Sequence, residues 1–147
     1  MKHSILIIFL SFLTLTNCST DNDDYYKEQV YRTYWHLINV SGGIAGVDNN
    51  FDLNKIVWTF DDETHTLTVS NTNTTDVEDG FDTGEYTYSV TEDANKEQFL
   101  TIESNEFGHM TISETELIIN QNMTTNGSGA DGFMYTFKRV LVLEEVE

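Results

Sequence analysis

From Trp35 to Val140 apolar, β-branched and aromatic side chains alternate with polar ones in short runs separated by turn residues. A period of two puts successive side chains on opposite faces of a strand. Each run therefore has one face to bury and one to wet. In the opening run, 34–43, Trp35, Leu37 and Asn39 share a face. Ile56, Trp58 and Phe60 share another, and after the polar turn 61–64 Leu67 and Val69 return opposite them, which reads as a hairpin. Further runs carry Tyr86, Tyr88 and Val90, then Leu100 and Ile102, Met110 and Ile112, and Leu117 and Ile119 on their apolar faces. The last, Phe133 to Val140, aligns Phe133, Tyr135, Phe137 and Arg139 on one face with Met134, Thr136 and Lys138 on the other. No proline occurs anywhere in the chain, so no ladder is interrupted by a missing donor. About eight such strands predict an all-β, antiparallel up-and-down barrel, because closure removes the exposed edges of a long meander.

At 147 residues the chain has room for one such domain. Its 25 acidic and 7 basic residues give a formal charge of −18, which argues against nucleic acid and against adsorption to an anionic membrane. A membrane connection is expected by another route. Residues 1–17 carry Lys2 followed by the apolar run Ile5 to Leu15, the order of a secretion signal and too short a run to span a bilayer.

The only cysteine, Cys18, stands directly after that run in Leu15-Thr16-Asn17-Cys18. This resembles a bacterial lipobox, and the resemblance implies a lipoprotein with a lipid (palmitate-type) anchor on Cys18, held in the outer membrane and exposed at the cell surface in one reading. With no second cysteine, no disulfide can form within the chain. Residues 18–32 read as a tether. Its acidic start, 19–24, resembles a surface-export signal, and a plain solvated linker explains the same composition. The spacing of Tyr26, Val30 and Tyr34 predicts a helical turn or two before the barrel. The barrel is expected over 33–141 and an acidic tail over 142–147.

The opening strand Tyr34-Trp35-His36-Leu37-Ile38-Asn39-Val40 with Gly42-Gly43 resembles the lipocalin-like bacterial lipoproteins. So do the Ile56-Val57-Trp58-Thr59-Phe60 and Leu67-Thr68-Val69 hairpin, the Ile112 to Leu117 turn and the closing Phe133 to Arg139 strand. The resemblance implies that an arginine near the end of the last strand covers the tryptophan of the first, here Arg139 on Trp35. It also implies a small hydrophobic ligand. The candidate pocket residues are Asn39, Trp58, Phe60, Tyr86, Tyr88, Tyr135 and Phe137.

Catalytic chemistry has little footing in this sequence. His36, His65 and His109 sit in separate strands or turns without zinc-site spacing, and no serine occupies a nucleophile elbow. His36 has the parity opposite to Trp35 and is expected on the outer surface. Asp76, Glu78, Asp79, Asp82 and Glu85 concentrate carboxylates in one loop, the ligand type calcium takes, but the spacing fits no EF-hand and a solvated acidic loop is the expected reading. No enzyme activity and no cofactor are expected. An eight-stranded barrel is just wide enough to be packed solid or to hold one small molecule. Two functions follow: a membrane-anchored barrel that binds a small hydrophobic ligand, or a protein-interaction or envelope-assembly module docking through loops 42–54, 71–83 and 122–132.

Overall fold

A computed structural model of the chain describes residues 29–145. The segment 1–17, Cys18 and the tether up to residue 28 lie outside the described residues. Within them the chain forms β1 (Gln29–Gly42), β2 (Val47–Asn50), β3 (Ile56–Asp61), β4 (Thr66–Asn71), β5 (Gly84–Glu92), β6 (Gln98–Ile102), β7 (Asn105–Ile112), β8 (Glu116–Asn120), β9 (Met123–Thr124), β10 (Gly127–Ser128) and β11 (Phe133–Glu145). β1, β3, β4, β5, β6, β7, β8 and β11 pair antiparallel in that order, and β11 pairs back onto β1. The result is an eight-stranded, closed, up-and-down barrel. β2 is an extra strand that takes over the edge of β1 where β3 leaves it: Trp35 and His36 face Trp58 and Val57, whereas 39–42 face 47–50.

The seam between the first and last strands is the longest in the barrel, running from Gln29 opposite Glu145 to Gly42 opposite Phe133. It departs from expectation at both termini. Residues 29–33 are strand rather than helix, and 142–145 of the expected acidic tail are strand as well. The physical reason is that each supplies the other's ladder: Val30 and Tyr31 lie opposite Glu144 and Leu143, and a paired β-rich segment outweighs weak helical spacing. Glu144 fixes the pairing with side chains, through an ion pair to Arg32 at 2.9 Å and a hydrogen bond accepted from the Tyr34 hydroxyl.

A bulge at Ile38 changes which residues of β1 face inward. The register against β11 jumps from Leu37–Phe137 to Asn39–Thr136, and the Ile38 carbonyl accepts the Phe51 amide at 3.0 Å. One extra residue reverses the face of everything beyond it. Trp35, Leu37 and Val40 are therefore buried together, and Asn39 turns outward to donate to Asp48 at 2.6 Å and Asn50 at 3.2 Å.

The barrel interior is one continuous cluster that includes Trp35, Leu37, Val40, Ile56, Trp58, Leu67, Val69, Leu100, Leu117, Ile119, Tyr135 and Phe137. His36 faces away from it, as parity requires, yet is only 7 % exposed, which corrects the expectation of a surface histidine. The β1–β3 connection covers it, and its Nδ1 accepts the Asn54 amide at 3.3 Å. Burial holds its pKa below the ordinary imidazole value, so the folded protein favours the neutral ring. The unfolded chain takes up that proton near the ordinary imidazole value of 6.5, and so the contribution of neutral His36 is complete above that pH and declines as pH falls toward the folded pKa. Denaturation midpoints at pH 7.5 and pH 5.0 should accordingly fall more steeply for the wild type than for His36→Gln, whose amide oxygen keeps an acceptor for Asn54. Equal acid sensitivity of the two would contradict this assignment.

Candidate functional site

The two ends of the barrel differ because the connections at them differ. Long loops, 43–55, 72–83 and 121–132, gather at one end, and short turns, 62–65, 93–97 and 113–115, at the other. The long-loop end is filled. Phe81 reaches in from the acidic loop to lie 5.6 Å from the Trp58 ring, and Phe107 lies 5.9 Å from it. Phe137 completes the stack at 4.8 Å. The backbone at Gly80 approaches so closely that a Cβ there would sit 3.1 Å from the Trp58 ring.

Polar groups of the 72–83 loop hold it in that position. Asp79 Oδ2 accepts from the side-chain amides of Asn71 at 3.0 Å and Asn73 at 2.9 Å, and Glu78 Oε1 accepts from the Tyr135 hydroxyl at 2.7 Å and the Gly80 amide at 3.2 Å. Burial first, and then the hydrogen bond to Glu78, raise the Tyr135 pKa far above the usual phenol value. Of the weak metal candidates, Glu78 and Asp79 thus serve to seat the loop. No group of three His, Cys, Asp or Glu side chains suited to a metal ion occurs among the described residues.

The short-turn end holds a cavity of about 500 Å³. Trp35, Phe60, Tyr88, Met110 and Leu117 form its inner wall, Val90, Ile112 and Tyr31 its mouth, and Arg32, Thr33, Asp61, Asp62 and Arg139 its polar groups. Of the seven residues expected to line a pocket, Phe60 and Tyr88 do. Trp58, Tyr135 and Phe137 are buried in the filled half, Tyr86 packs its ring 4.9 Å from Phe81, and Asn39 is turned outward by the bulge. The cavity thus lies at the end opposite to that of Asn39 and Tyr86, two of the residues expected to line it.

Trp35 and Arg139 are direct partners across the β1–β11 seam, and the guanidinium carbon lies 5.8 Å from the indole centroid. That is cation–π distance, worth about 0.5–2 kcal/mol depending on desolvation. Arg139 Nη2 also donates to Thr33 Oγ1 at 3.3 Å. On the facing wall Tyr88 donates its hydroxyl to Asp62 Oδ1 at 2.6 Å, and burial, followed by that bond, raises its pKa far above the ordinary value. Asp61 accepts the amides of Thr64 at 2.9 Å and Glu63 at 3.0 Å, bonds that keep its carboxyl below the usual range. The cavity therefore combines aromatic and aliphatic walls with a few polar groups, most of them already committed to one another.

Comparison of the chain with protein-family models, with curated proteins and with solved structures gives no match.

Proposed function

We propose that this protein is a small-molecule-binding lipoprotein: a lipid on Cys18 tethers it to the outer membrane of a bacterial envelope, and its barrel takes one small hydrophobic ligand at the Trp35 end. The observation that carries the reading is the cavity of about 500 Å³ at the Trp35 end of a barrel whose other half is occupied by the buried rings of Trp58, Tyr135 and Phe137. A volume of that order, apolar walls and a few placed polar groups are what small-ligand sites have in common. The likeness of the first and last strands to lipocalin-like lipoproteins supports the same reading. Binding requires no chemical step, in keeping with a chain that has neither an activated nucleophile nor a metal-site motif in its sequence.

The tether has a geometric consequence. β1 begins at Gln29 on the side of the barrel where the cavity opens, and the residues joining it to Cys18 can span at most about 40 Å. A lipid on Cys18 would keep the cavity mouth within that reach of the bilayer. Cys18→Ser should release the protein from membranes, and retention of the variant with no fatty acid incorporated into the wild type would refute the anchor.

The neutral fluorophore N-phenyl-1-naphthylamine tests the cavity independently of any charge. One saturable site is expected in the wild type. Val90 stands at the mouth and is 41 % exposed, so Val90→Trp should fill the entrance and weaken the probe by about tenfold or more while leaving stability within about 0.5 kcal/mol. Absence of binding, or equal binding by the two proteins, would refute the reading.

A further inference from the structure

Two arginines line the cavity, and they are not in the same condition. Arg32 is paired with Glu144 at 2.9 Å. Arg139 has no carboxylate within ion-pair distance among the described residues, its one side-chain hydrogen bond is the 3.3 Å contact to Thr33, and its Nε is buried with no acceptor. A guanidinium carries five N–H donors, and leaving a largely enclosed one without an anion is costly. The omission occurs in a chain with 25 acidic residues. It also occurs within a cavity that holds two of them: Asp61 and Asp62 line the same space, but one caps the β3–β4 turn and the other binds the Tyr88 hydroxyl.

We propose that Arg139 is the receptor for the ligand's head group, and that the ligand is an apolar monocarboxylate, fatty-acid-like or aryl, with its body against Trp35, Phe60, Met110 and Leu117. This rests on the reading of the cavity as a small-molecule site. A carboxylate is the anion whose two coplanar oxygens match the guanidinium fork. The Trp35 ring lies against the guanidinium, its centroid 5.8 Å from the guanidinium carbon, and a ring contact consumes none of the N–H donors. A single negative charge is what the site admits, because Asp61 and Asp62 on the same cavity and the net charge of −18 repel a dianion such as a phosphate monoester.

The test is calorimetric titration of the full chain with decanoate, decanol and decylamine, which share an alkyl body and differ in the head. Decanoate should bind about tenfold or more tightly than either analogue, the scale of a charge-assisted hydrogen bond. Arg139→Gln should erase that preference while decanol affinity stays within about twofold. Arg139→Lys, which keeps the charge and the apolar stem but loses the fork, should retain part of it, and near-ultraviolet circular dichroism checks that both variants are folded. Equal or tighter binding of decanol or decylamine, or a preference that survives Arg139→Gln, overturns the proposal. If N-phenyl-1-naphthylamine binds and decanoate does not, the cavity reading stands and the monocarboxylate falls; if neither binds, both fall.

Discussion

Trp58→Ala is expected to destabilise the barrel by about 3–5 kcal/mol, the cost of truncating a fully enclosed large aromatic to a methyl group. Trp58 has no exposed surface and touches four other rings, those of Phe60, Phe81, Phe107 and Phe137, at centroid distances of 4.8 to 6.3 Å. It is the group against which the acidic loop closes, so its removal leaves a cavity and also unseats Phe81. The wild-type residue carries a penalty of its own: its Nε1–H is buried without an acceptor among the described residues, a deficit of about 1–3 kcal/mol. Trp58→Phe removes that donor while keeping a ring, and should cost less than about 2 kcal/mol. Urea denaturation with an unchanged m-value measures both. An alanine variant within about 1 kcal/mol of wild type would mean that the long-loop end is not packed around this ring.

Gly108→Ala should cost about 2–4 kcal/mol, although it adds one methyl group. Gly108 lies in β7 beside the register shift against β6, with a φ of +149° that side-chain-bearing residues avoid. An added Cβ would sit 2.6 Å from the carbonyl oxygen of Asn120 and 2.8 Å from its carbonyl carbon, atoms of the backbone at the end of β8 that cannot rotate away. Backbone strain and overpacking, each about 1–3 kcal/mol, therefore act together. Gly84→Ala is the control. Its Cβ would meet only the Tyr86 ring at ordinary contact distances from 3.4 Å, and the expected change is within about 1 kcal/mol.

Most of the barrel wall was legible because alternation is a local property. Trp58 and Ile56, Leu67 and Val69, Leu117 and Ile119, and Tyr135 and Phe137 all face inward as their spacing requires. The bulge was not read, since one extra residue leaves the composition of a strand unchanged. Its trace is Val40, apolar at an odd distance from Leu37, which no regular strand can bury on the same face. The extended β1–β11 ribbon was missed for another reason: Val140-Leu141-Val142-Leu143 is a continuous apolar run, and period two gives no face to assign.

The location of the cavity depended on long-range packing rather than on any strand. Phe81, one aromatic in an otherwise acidic loop, was the available sign that this loop folds inward and fills its end of the barrel. The unequal lengths of the connections then leave the opposite end, with its short turns, as the open one. Arg139 was placed by parity on the inner face. That it meets no carboxylate among the described residues could be seen only once Asp61 and Asp62 were known to be engaged elsewhere.

That a small apolar molecule enters the barrel at the Trp35 end is tested most directly by intermolecular nuclear Overhauser effects between N-phenyl-1-naphthylamine and the isotope-labelled protein. Contacts should appear at the Met110 methyl, the Leu117 methyls and the Trp35 indole, with none at Trp58 or Phe137. Contacts to the Trp58–Phe81 cluster or to loops 43–55 and 121–132, or no contacts at saturating probe, would contradict the placement of the site.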